Sequence, residues 1–284
     1  MKKCLCILLV VSLFLGAVSL FTGCKSKMSE YDEKGYQDGG FVIDPATVRE
    51  IEIEWIDGNV NLLAEGDSIQ ASEEDHNNKK VCFRYRLQEG VLSIKYAPSK
   101  AALQGESKDL TLTFPANKTF EKVTVSLTSG NVSARTLYAE ALSVKVESGK
   151  TSLTTCSGKE LDIAAASGNV FLTQTNFLNL CCTCDAGTVS AVTLTAQSAE
   201  ITARAGNIVT ADLNCASLTV TSNAGNVTLG LSEKVKGYTL TPTVTSGEII
   251  AQKATKNKDA YEYGDKSTAI FATLANGNLA VILP

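Results

Sequence analysis

Residues 129–149 read "SGNVSARTLYAEALSVKVESG", and between Gly130 and Gly149 lies one full unit of a repeat. The same kind of glycine returns at Gly168, Gly187, Gly206 and Gly225, each 19 residues after the last. A fixed period of this length marks a repeat architecture, in which each unit buries its apolar side against its neighbours. Looser copies of the word stand at Gly58 ("DGNV"), Gly90 ("EGVL"), Gly247 ("SGEI") and Gly277 ("NGNL"). Together they imply about ten units.

Aligning the strict units on their glycine separates inward from outward positions. Two residues after it come Val132, Thr151, Val170, Val189, Ile208 and Val227; twelve after it, Leu142, Leu161, Leu180, Ala199 and Leu218. Fourteen after it come Val144, Ile163, Cys182, Ile201 and Val220, while the position between holds Ser143, Asp162, Cys181, Glu200 and Thr219. Apolar and polar positions alternate with a period of two, and the apolar ones favour β-branched residues, so the units are strands. Nineteen residues leave no room for a helix that could return the chain over a sheet. The sequence therefore predicts an all-β fold, a single parallel β-helix or solenoid with 19-residue coils. Crossover chirality makes it right-handed.

The repeated word is then a corner. Gly130, Gly149, Gly168, Gly187, Gly206 and Gly225 are expected at positive φ, which other residues resist. Asn131, Asn169, Asn207 and Asn226 follow them and are expected to bond from coil to coil, with Lys150 and Thr188 interrupting that ladder. Before Gly130 the pattern loosens. "EIEIEW" (50–55), "VCFRYRL" (81–87) and "VLSIKY" (91–96) read as strands, whereas 65–80 and 97–108 read as exposed loops. Residues 255–267 interrupt the last two coils.

The first residues belong to no fold. "MKKCLCILLVVSLFLGAVSLFTGC" begins with two lysines, continues through an apolar stretch and ends on small residues before Cys24. It resembles a bacterial lipoprotein signal, although Phe21 stands where leucine is usual. The resemblance implies cleavage before Cys24 and lipid on that residue. The expected organisation is a signal peptide over 1–23, lipidated Cys24 with a polar tether to residue 40, and the solenoid over 41–284. The solenoid then lies outside the cytoplasm, anchored to the membrane through Cys24.

The stretches "VREIEIEWIDGNVNLL", "EGVLSIKY", "DLTLTFPANKTFEKVTVSLTSGNV" and "YEYGDKSTAIFATLANGNLAVIL" resemble the bacterial "putative-adhesin" family, also called head-GIN-like domains. The resemblance covers residues 41–284. It implies a right-handed β-helix at the cell surface or envelope, and it brings no catalytic residues.

The chemistry offered by the side chains is sparse. Net charge is −4, which leaves no basic footprint for nucleic acid. His76 is the single histidine, so a histidine-based zinc site is excluded and a histidine triad would have to use that residue. "CCTC" (181–184) suggests a metal or redox motif, yet Cys182 and Cys184 fall in apolar columns, as do Cys156 and Cys215, and only Cys181 points outward. Asp162 and Glu200 share an outward column two coils apart, about 9–10 Å by strand spacing. That is at the outer limit for a pair of inverting-glycosidase carboxylates. Asp185 and Arg204 are placed to form a surface ion pair. The paired glycines and aspartates of calcium-binding repeats are missing. The reading is a lipid-anchored, non-enzymatic adhesion or binding module with no cofactor and no metal, its partner a surface glycan or an envelope protein. A glycan-cleaving enzyme and a structural envelope component are the alternatives.

Overall fold

A computed structural model describes residues 35–75, 83–96 and 108–284. The signal, Cys24, most of the tether, His76 and Cys82 lie outside these residues. Tyr36–Pro284 forms one compact unit.

The chain is a parallel β-solenoid. Each 19-residue coil runs from a glycine corner through a short strand such as Val132–Arg135, turns, and returns along a longer one such as Tyr138–Ser148. Strands pair in parallel and in register with their copies one period away: Leu161 with Leu180, Leu180 with Ala199, Ala199 with Leu218. This register follows from the alternation, because a slip by one residue would turn every apolar side chain outward. The inward columns are buried along the whole stack, including Val144, Ile163, Cys182, Ile201 and Val220. Each large aliphatic residue so buried contributes on the order of 1.5–3 kcal/mol against the entropy of ordering the coil.

The corner column has ten levels among the described residues. In space they run Lys108, Gly58, Gly130, Gly149, Gly168, Gly187, Gly206, Gly225, Gly277, Gly247. Gly90 is not among them. With Glu89 it forms the two-residue turn between the antiparallel strands Phe83–Gln88 and Val91–Tyr96, both residues at positive φ. That is the turn whose twist suits a hairpin. Lys108 occupies the corner instead, and the strand after it pairs Val60 with Leu110.

The spatial order differs from chain order at both ends. Strand Glu50–Asp57 comes first in the chain of the solenoid coils, yet it lies between Val91–Tyr96 and Thr119–Ser129. At the other end the last strands, Thr268–Asn276 and Leu279–Ile282, are inserted between the Gly225 coil and strands Gly237–Ser246 and Ile249–Ala251. The expectation that each coil stacks on its chain neighbour therefore holds only between Gly130 and Gly225.

Antiparallel pieces close the two ends. The segment read as a loop over 65–80 contains strand Ile69–Asp75, which pairs antiparallel with Lys108–Phe114 and buries Ile69. Its few apolar residues suffice because only one face meets the core. Phe41–Ile43 joins that strand, and Gln37–Asp38 pairs with Arg84–Tyr85, so the end of the expected tether belongs to the fold. Aromatic pairs fill this end: Phe41 with Phe83, Trp55 with Tyr96, Phe114 with Phe120. At the opposite end, strands Thr255–Asn257 and Ala260–Gly264 form a hairpin whose second strand lies along Gly237–Leu240. There the buried Tyr238 hydroxyl donates to the carbonyl of Gln252 at 2.8 Å.

Candidate functional site

The corner residues come first. The six strict glycines have φ between +126° and +151°, and a Cβ on any of them would overlap the carbonyl oxygen of the glycine one level below. Both conformation and close approach require glycine here. The asparagines after them bond along the stack. Asn131 Oδ1 accepts the backbone N–H of Lys150 at 3.0 Å, Asn169 Oδ1 that of Thr188 at 2.9 Å, and Asn207 Oδ1 that of Asn226 at 2.8 Å. Lys150 and Thr188 donate their backbone N–H to this ladder but, not being asparagines, do not continue it. Two further members were not singled out in the sequence. Asn278 donates its backbone N–H to Asn226 Oδ1 and accepts that of Glu248 on its own Oδ1, and Asn59 donates through its backbone and its amide to the Asp109 carboxylate at 2.7 and 2.9 Å. These residues bond to each other, which makes them architecture rather than a ligand site.

A second corner was missed altogether. Thr136, Thr155, Gln174, Thr193 and Asp212 have φ between 52° and 58° and are again 19 residues apart. A β-branched threonine in this region is an outlier, so the corner is strained. Nothing in its residue types announces it; only the period could have found it.

The cysteines divide as their columns require. Cys156, Cys182, Cys184 and Cys215 are buried free thiols, and Cys181 is an exposed one. Burial pushes Cys156 up to about 11 and Cys215 up to about 12, and burial drives Cys182 upward as well. Neutral thiols are poor metal ligands and poor nucleophiles. Among the described residues, no group of His, Cys, Asp and Glu is arranged to hold a metal ion.

Cys181 pairs with Asp162 on one side and Glu200 on the other, so the two carboxylates stand two strand spacings apart, about 9–10 Å. Partial burial raises the Cys181 thiol, and both flanking carboxylates raise it further. Asp185 and Arg204 meet at 3.3 Å, as do Glu140 and Lys159 at 2.9 Å. Exposed pairs of this kind contribute under about 1 kcal/mol each. Lys108 and Glu73 differ from these: their side chains are 2% and 3% exposed and meet at 2.8 Å, while the Lys108 carbonyl accepts the Trp55 indole N–H. This buried pair sits in the closed end of the stack.

Outward positions on the longer strands form flat columns. Four residues before the corner glycine, Thr183, Thr202, Thr221, Thr273 and Thr243 occupy five consecutive levels in register. Most other outward residues here are Ser, Thr, Asn or small, which leaves a hydroxyl-rich sheet face.

The model of a family described as Toastrack DUF4097 matches residues 48–279. Two solved structures are similar. A "putative cell adhesion protein" from Clostridium sporogenes is 12% identical, covering 88% of this chain and 100% of its own, with a TM-score of 0.33. A "putative adhesin" from Bacteroides fragilis is 16% identical, covering 88% and 98%, with a TM-score of 0.45. None of the curated proteins matches this chain.

Proposed function

The chain belongs to the Toastrack DUF4097 family, and on that footing we propose that it is a lipid-anchored, extracytoplasmic binding module that works by surface contact rather than by catalysis. The observation that carries this reading is the run of in-register threonines on an exposed sheet face. A solenoid presents such a face as a rigid, flat array, suited to extended partners such as surface glycans or envelope proteins. The leader ending at Cys24 supports the anchor. The names given to the two similar structures agree with an adhesion role for those proteins.

Three experiments test the reading. Intact-mass analysis of the membrane-extracted protein should show a chain beginning at lipidated Cys24, and Cys24→Ser should release it from membranes; an unmodified, uncleaved N-terminus would overturn the anchor. Retention on immobilised envelope and host-surface fractions tests binding. A hydrolysis screen on polysaccharides tests the enzymatic alternative: turnover that disappears in both Asp162→Asn and Glu200→Gln would replace the binding reading with a glycan-cleaving one.

A further inference from the structure

The outer face of the longer strands is not uniform along the stack. Its first levels carry charges of both signs, among them Glu52, Glu54, Lys145, Asp162 and Glu200. The three levels beyond Glu200 carry none. From Ser217–Asn223, through Ala269–Ala275, to Thr239–Thr245, no outward position holds Asp, Glu, Lys or Arg, and more than half hold threonine.

Phe271 lies at the centre of this uncharged area. It is paired with Thr219 on one side and Thr241 on the other, and Thr273 follows two residues along its own strand. Phe271 is 49% exposed. A single exposed aromatic residue needs no explanation by itself. Here, however, it is surrounded on a flat, neutral sheet by hydroxyls about 4.8 Å apart across the strands. An aromatic face takes the C–H side of a sugar ring, and threonine hydroxyls both donate to and accept from its equatorial hydroxyls. The lack of charge on these levels gives a polyanion nothing to pair with.

The geometry points to a binding site for an uncharged, extended polysaccharide, with a sugar ring stacked on Phe271 and its hydroxyls bonded to Thr219, Thr221, Thr241 and Thr243. The inference rests on the binding reading above and gives that face a ligand class. A face of parallel in-register strands suits a ribbon-like, β-linked chain lying over several of them.

Affinity electrophoresis of the full chain, extracted in a non-ionic detergent, tests it. The probes are gels containing a neutral mixed-linkage β-glucan, gels containing polygalacturonate and gels without polymer. The neutral glucan should retard the protein and polygalacturonate should not. Phe271→Ala should weaken retardation roughly five- to tenfold, the weight of one stacking contact. Thr243→Glu should abolish most of it. Both positions point to solvent, so the thermal midpoints of these variants serve as the control for folding. Equal retardation of wild type and both variants, retardation by the polyanion alone, or none in any gel would each overturn the site. If the glucan retards neither wild type nor variants while all of them bind envelope fractions, the glycan site fails and the adhesion reading stands; if wild type binds neither glucan nor envelope, both fail.

Discussion

At the scale of single residues the corners decide most. Gly149→Val would require a branched side chain at φ +136° and within overlap of the Gly130 carbonyl. It should cost more than about 4 kcal/mol, seen as loss of soluble protein or a collapsed melting transition; an unchanged midpoint would refute the register. Thr193→Asn should act in the other direction. Thr193 is exposed and held at φ 57°, a region asparagine enters readily and threonine does not. A gain of about 0.5–1 kcal/mol in urea unfolding is expected. The buried thiols set an alkaline limit. With folded values raised to about 11 for Cys156 and about 12 for Cys215, the unfolded chain loses those protons first as pH rises past its own value of about 8.5. The protection they give is complete below that point and fades up to the folded values. Stability should fall between about pH 8.5 and 12, and a Cys156→Val, Cys215→Ala variant should lose less over the same range. The glycine corner was legible because only glycine tolerates it. The threonine corner was not, since its residues are ordinary surface types, and Gly90 mimicked a coil corner because a hairpin turn uses the same local word.

At the scale of elements the informative ones are those out of chain order. Strands Thr268–Asn276 and Leu279–Ile282 end the chain, and terminal strands ordinarily fray. Here both edges of each are paired, with the Gly225 coil on one side and Gly237–Ala251 on the other. Their amides should therefore exchange with solvent as slowly as those of Ile208–Ala224. Exchange of 268–282 ahead of Gly237–Ser246 would contradict the insertion. The apolar alternation of "TAIFATLANGNLAVIL" identifies these strands in the sequence. It does not give their place in the stack, because every coil presents nearly the same inward columns and can pair with any other. The central coils keep chain order for a simpler reason: with no segment between them, a 19-residue unit can reach only its immediate neighbour.

At the scale of the whole molecule, stability is close to a sum over neighbouring coils, so the ends matter most. The closed end near Trp55 holds the Lys108–Glu73 pair almost without exposure. Lys108→Ala removes that cation from a buried carboxylate and should cost about 3–5 kcal/mol. Calorimetry should show the loss, and replacing both residues, as Lys108→Met with Glu73→Leu, should restore much of it. No sequence pattern marked the pair, since Lys108 lies in a charged stretch that reads as solvated. The displaced first strand has a mechanical consequence under the proposed anchoring at Cys24. A pull transmitted through Tyr36 first strips the short outer strands and then reaches Glu50–Asp57, which is hydrogen-bonded along both edges. The strand has no free border from which to unzip, and both of its ladders must open to release it. Extracting the first coil strand thus breaks two sets of backbone hydrogen bonds where an edge strand would break one.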